Sequence, residues 1–147
     1  MAPTRAWPAI ERREAGIAAA LPEGVTLERV ECDEENFAET VAVIDRALDR
    51  HPFPDAILGA NDQIAIAALK VLGHRGIDVP GGVQVTGYND FVFRNYSTPL
   101  LTTITSCAYQ IGQRAAQTML ARLEDGQFSE RKIELSVKLN VGGTTLP

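Results

Sequence analysis

The stretch AILGANDQIAIAALKVLGHRGIDVPGGVQVTGYND, Ala56 to Asp90, decides the architecture of this chain. It opens with Ala56-Ile57-Leu58-Gly59-Ala60, a run with the length of a buried strand that stops at Asn61-Asp62. Ile64, Ala65, Ala68, Leu69, Val71 and Leu72 then give a helix a broad apolar face, which Gly73 to Gly76 close. After Pro80-Gly81-Gly82, the run Val83-Gln84-Val85-Thr86-Gly87 returns as a strand and stops at Tyr88-Asn89-Asp90. A strand, helix, strand unit this short calls for parallel strands and a right-handed crossover, so both carboxyl ends lie on one rim. Asn61-Asp62 and Asn89-Asp90 therefore converge, and in open parallel sheets the ligand crevice lies outside that rim.

Upstream, Ile10, Glu14, Ile17, Ala18 and Leu21 form the mixed stripe of a short surface helix, stopped by Pro22 and Gly24. Alternation from Val25 through Leu27 predicts a strand ending near Cys32. Asn36 with Glu39 three residues later predicts a reciprocal capping box. Phe37, Val41, Ile44 and Leu48 mark the apolar face of the helix that follows. Downstream, Leu100 to Thr105 reads as a strand, and Ile111, Ala115, Met119 and Leu123 repeat every fourth residue in a helix closed by Gly126. Ile133, Leu135, Val137, Leu139 and Val141 alternate with polar residues, which predicts a last strand with one wet face. There is no internal repeat, low-complexity tract or interdomain linker.

A length of 147 residues with 45% hydrophobic content predicts one domain with a real core rather than a disordered segment. The formal charge is −5 and no run of Lys or Arg stands out, which argues against direct binding to a nucleic-acid backbone. Cys32 and Cys107 lie far apart without metal-ligand spacing and read as free thiols in a reducing cytosol. His51 and His74 have no Cys, Asp or Glu at ligand spacing, so neither a metal nor another cofactor is expected. Met1 to Pro8 lacks a signal-peptide core and no segment is long enough to span a bilayer, which predicts a cytoplasmic protein without a membrane partner. No Ser-His-Asp set, Cys-His pair or Gly-rich phosphate loop supports an enzyme; a hydrolase would have to draw its acid and base from Asp62, Asn89 and Asp90.

The run from Pro54 to about Thr145 resembles the C-terminal region of the LacI/GalR regulators. The motifs that carry the resemblance are Pro-Asp-Ala-Ile at Pro54–Ile57, Ala-Asn-Asp-Gln at Ala60–Gln63, Arg-Gly-Ile-x-Val-Pro at Arg75–Pro80 and Gly-Tyr-Asn-Asp at Gly87–Asp90, followed by Thr98–Ile104 and the Gly112–Leu123 helix. Upstream, Arg13-Glu14-Ala15-Gly16-Ile17 is similar to the family's Arg-x-x-Gly-aromatic segment, with Ile17 in the aromatic place. The resemblance implies an α/β fold of the periplasmic-binding-protein-like type I class: a parallel-sheet C-terminal subdomain plus partial elements of the second subdomain. It puts residues of about 1–105 and 130–147 in the C-terminal subdomain and the helix of about 106–129 in the other. It also implies a start just after the first strand of the C-terminal subdomain, so that DNA would be reached only through a domain absent from this chain.

By the same resemblance, Arg13, Asn61, Asn89 and Ser106 are the expected ligand contacts, and Ile66, Lys70 and Tyr96 the expected homodimer interface. Read without it, Asn61 is a helix cap, Asn89 a turn residue, Arg13 a solvated charge and the interface residues ordinary surface. Asp62 reads as a first-turn partner of the helix dipole. Asn89 stands where the family carries an acidic residue and offers a donor and an acceptor without charge. No aromatic fills the stacking position expected around Asp33 to Glu35. The function implied is sensing of a small-molecule effector, a sugar or related metabolite, by a dimeric regulator. The alternatives are a dimer-forming remnant that no longer senses, or a sugar-binding receptor of the same fold.

Overall fold

The computed structural model describes residues 1–3, 7–33, 35–50, 53–128, 130 and 132–147. At its centre, β3 (Ala56–Leu58) and β4 (Gln84–Thr86) run parallel in the register Ala56↔Gln84, Ile57↔Val85 and Leu58↔Thr86. The helix between them is α3, Asp62–His74. Ile64, Ala65, Ala67, Ala68 and Leu72 on it are fully buried, which is why this part of the chain reads as nearly continuous apolar sequence. Gly59 lets the helix close on the strand it follows, because a Cβ there would strike Ala65 N and Asn61 O, both at 2.8 Å.

On one side of this pair lies β1 (Ala2–Pro3), itself parallel to β2 (Glu31–Cys32). The Met1 amino nitrogen donates to Leu58 O at 2.7 Å and Ala60 N donates to Met1 O at 2.9 Å, which joins β1 to β3. On the other side, Thr102 bridges Thr86 in parallel, and β5 (Thr103–Thr105) pairs antiparallel with β6 (Lys138–Asn140). The strands therefore follow the order β2, β1, β3, β4, β5, β6. Helix α1 spans Pro8–Ala20 and α2 spans Phe37–Ala47. Ile44 and Leu48 from the α2 region meet Val71 and Leu72 of α3 in a core that also takes in Ile57, Val83, Val85 and Leu101. The predicted strand, helix, strand unit and its parallel sense are thus observed, and the fold is α/β with a parallel central sheet.

Four expectations need correction. A two-residue strand, Ala2–Pro3, precedes the first helix where no strand was expected. The strand expected from Val25 shrinks to Glu31–Cys32, and Val25 and Leu27 stand exposed, since alternation predicts a strand only where a neighbouring strand is in reach to bond it. The capping box is half made: Asn36 Oδ1 accepts from Glu39 N at 3.1 Å, but the Glu39 carboxylate turns to Arg46 and the Asn36 N–H goes to Asp33 O. The last strand keeps only Lys138–Asn140 of the alternating run, and Leu135 and Val137 are exposed. His51 lies outside the described residues.

Helix α4, Ala108–Asp125, follows β5 and ends at Gly126, whose φ of 79° is the left-handed conformation a helix stop requires. It has no buried residue, and Ile111, Met119, Leu120 and Leu123 are all more than half exposed. The apolar spacing predicted the helix correctly; among the described residues, no other helix or strand buries its face.

Candidate functional site

The rim at the carboxyl ends of β3 and β4 is assembled by short-range rules and one long reach. Asn61 follows β3 and caps α3, its Oδ1 accepting from Ile64 N at 2.9 Å. Tyr88 follows the second strand, and its carbonyl accepts from Asp62 N at 2.9 Å, which closes the two strand ends on one another. From α1, Arg13 reaches across the rim: Nη1 donates to Ala60 O at 2.8 Å, and the guanidinium carbon lies 3.7 Å from the centroid of the Tyr88 ring. This cation–π stacking fixes a long side chain that would otherwise sweep through solvent.

Asn89 carries φ of 115°, outside the ordinary range for a side-chain-bearing residue, and is pinned by N–H donation to Ile104 O at 2.8 Å. Ser106 approaches its carbonyl, with Oγ to Asn89 O at 3.4 Å. The predicted residues are thereby linked in one contact series: Arg13 touches Ala60 beside Asn61, Arg13 stacks on Tyr88 beside Asn89, and Asn89 meets Ser106. Each of the four is partly buried, the state of a side chain that is held in place yet reachable. The structure adds Tyr88, an aromatic face on the rim that reasoning from the sequence placed only as a strand terminator.

Asp62 stands in the first turn of α3, as the sequence predicts, and it also has remote partners. Its side chain is fully buried; Oδ2 accepts from Phe91 N at 2.7 Å and Oδ1 accepts from the Thr103 hydroxyl. It is the internal tie between the start of α3, the loop after β4 and β5. Gly87 makes room for it, since a Cβ at that position would run into the Asp62 carboxylate and Leu101.

Two hollows border the rim and the outer surface. A cavity of about 910 Å³ opens beside Tyr88 and Ser106 and runs between α4, through Ile111, Ala115 and Met119, and the returning chain at Ile133, Leu135 and Val137. A smaller hollow of about 400 Å³ is lined by Phe37, Gln63, Ile66, Phe93, Tyr96 and Ser97. Ile66 and Tyr96, two of the three residues expected at a dimer interface, share this hollow, and Lys70 stands 5.8 Å from the Phe37 ring centroid at its edge. Tyr96 is 83% exposed, so this face presents an aromatic ring to whatever meets it. No helix among the described residues is long and apolar enough to cross a membrane.

The family described as periplasmic binding protein-like domain matches residues 2–145. The chain belongs to this family. Within this periplasmic binding protein-like family it corresponds to the C-terminal effector-binding region of LacI-family regulators. The HTH-type transcriptional regulator CelR of Thermobifida fusca is 32% identical over 129 residues, covering 88% of this chain and 37% of that protein. Among solved structures, a LacI family transcriptional regulator from Bifidobacterium animalis subsp. lactis superposes with a TM-score of 0.88 at 25% identity over 99% of this chain and 54% of that one. A complex of the transcriptional regulator CelR with cellobiose gives a TM-score of 0.72 at 30% identity over 90% of this chain and 40% of the other. The chain spans between 26% and 42% of the length of the GalR, PurR and CelR relatives it matches.

Proposed function

We propose that the chain is the effector-sensing and dimer-forming portion of a LacI/GalR-type transcriptional regulator of the cytoplasm, and that it binds a sugar or related polyhydroxyl metabolite on the rim of its parallel sheet without transforming it. The observation that carries this reading is the contact series that runs from Ala60, beside Asn61, through Arg13 to Tyr88, and from Asn89, next to Tyr88, to Ser106. Guanidinium, amide and hydroxyl groups offer donors and acceptors in the mixture that sugar hydroxyls require, and the Tyr88 ring offers the flat face against which a pyranose packs. The CelR–cellobiose complex, at 30% identity, supports a sugar as the ligand class.

In this reading α4 and the residues about it belong to a second subdomain that forms the opposite wall of the cleft. A ligand held between two walls prefers one of their relative orientations, and that difference in affinity biases the orientation. DNA is reached through a reading head outside residues 1–147. The dimer is built on the face of Ile66, Lys70 and Tyr96, where an exposed ring and an apolar hollow adjoin.

The test combines light scattering with thermal melting against cellobiose, lactose, glucose and galactose. The expected outcome is a dimer stabilised by one of these sugars: at a concentration one hundred times its Kd, a ligand adds about 2.7 kcal/mol, on the order of 8 °C in melting temperature for a domain of this size. Arg13→Ala is expected to abolish that shift. A monodisperse monomer whose melting no sugar alters would overturn the proposal.

A further inference from the structure

The Asp90 carboxylate gathers donors from three different parts of the chain. Its Oδ1 accepts from Arg94 Nη1 at 2.8 Å, and its Oδ2 accepts from Asn140 Nδ2 at 2.7 Å and from Thr105 Oγ1 at 3.1 Å. Arg94 is fixed in turn, its Nε donating to Leu101 O at 3.0 Å, and Asn140 Nδ2 also donates to Thr105 Oγ1 at 2.6 Å. The cluster is largely withdrawn from water, with the Arg94 and Asp90 side chains 11% and 25% exposed. Charge-assisted hydrogen bonds in such surroundings are stronger than the exposed ion pairs elsewhere on this surface.

The backbone at this point needs holding. Asn89 and Asp90 are consecutive side-chain-bearing residues at φ of 115° and 58°, a conformation that persists only where the surroundings enforce it. The donors also come from telling places. Thr105 is the last residue of β5, from which the chain passes through Ser106 and Cys107 out to α4. Asn140 lies in β6, by which the chain returns. Cys107, at φ of 54°, donates its thiol to Ser136 O at 2.9 Å, so the outgoing and returning segments of the crossing touch there. Because α4 buries none of its own residues and, among the described residues, packs extensively against no other helix or strand, its orientation is set by these two crossings.

We propose that Asp90 is a latch: with Arg94, Thr105 and Asn140 it locks the rim turn and both crossings into one geometry, so that the body formed by α4 and the returning chain swings away from the sheet only when the carboxylate releases its partners. Asp90 is thus a positioning residue for the rim, and the latch operates whether or not a ligand sits at Asn89. Its consequence is that the crossing segments are stiff in the latched state and mobile in the released one.

Thiol alkylation of the native chain by iodoacetamide tests this with an internal control. Cys107 lies half-buried in the crossing and reports its opening; Cys32 is fully buried, its thiol pushed up by burial, and reports opening of the core. Asp90→Asn suits the positive φ and keeps one acceptor while removing the charge that holds Arg94. It is expected to speed Cys107 labelling about tenfold, the loss of a charged hydrogen bond converted to a population, with Cys32 labelling unchanged. Asn140→Leu, which removes a donor from the other end of the cluster, is expected to do the same, and the double variant to add little to either single change. Wild-type Cys107 rates in both single variants would overturn the latch. So would Cys107 and Cys32 accelerating together, which would make the cluster a contributor to global stability instead.

Discussion

Replacing Asp62 with alanine tests how the rim is built, because a fully buried carboxylate leaves little room for compensation. Asp62 accepts from the Phe91 N–H at 2.7 Å and from the hydroxyl of Thr103, which is itself fully buried. Each hydrogen bond to a charged group is worth about 1.5–3 kcal/mol, and alanine both removes two of them and strands the two donors in the interior. Removing the buried charge returns part of its desolvation cost. The net loss is about 3–4 kcal/mol, a large share of the roughly 5–15 kcal/mol that holds a domain of this size. Asparagine is milder, since its amide oxygen can serve Phe91 and its amide nitrogen can donate to a Thr103 hydroxyl turned to accept; a loss of about 1–2 kcal/mol is expected. Adding Thr103→Val to Asp62→Ala deletes the stranded hydroxyl and should recover about 1 kcal/mol. Urea unfolding followed by far-UV circular dichroism measures all three, read as shifts in midpoint at constant slope. An alanine variant that loses less than about 1 kcal/mol, or no more than the asparagine variant, would refute the reasoning.

Asn61→Ala removes the cap of α3 and should cost about 1 kcal/mol in the same assay, whereas Asn61→Asp keeps the acceptor and should cost a few tenths at most. Gly87→Ala drives a methyl group toward the Asp62 carboxylate and Leu101, and a loss of about 2–3 kcal/mol by thermal melting is expected. Met119→Lys together with Leu123→Lys places charge on the exposed apolar face of α4; if that face is covered by association, light scattering should show the assembly shrink while far-UV circular dichroism stays constant.

Legibility along the chain followed how each element is buried. The β3, α3, β4 unit was readable because the strand centres Ile57 and Val85 and most of α3 are buried, so apolar sequence runs nearly continuously and polar Asn-Asp pairs punctuate it at the rim. The alternating runs at Val25 and at Leu135–Val137 were misread because period two states that one face needs covering and does not say by what; those side chains stand exposed, and regular strand pairing goes no further than Glu31–Cys32 and Lys138–Asn140. α4 makes the same point with a helical period: its face was predicted correctly and remains open.

For the rim, local rules reached Asn61, whose cap partner is three residues away, and the first-turn place of Asp62, but not the remote partners of Asp62 and Asp90. Asp62 bonds to residues 29 and 41 positions distant, and Asp90 to one 50 positions distant. An aspartate in the first turn of a helix looks the same in sequence whether it faces water or a β-strand, because the helix dipole favours it in both cases. What separates them here is the residue opposite: Gly87 directly follows β4, and only a residue without a Cβ leaves space there for the Asp62 carboxylate. A glycine at the end of a buried parallel strand, facing an Asp at the start of the preceding helix and a Thr in the next strand, is the sequence signal that would have found the buried tie. It draws on three elements at once and becomes visible only after the order of the strands is known.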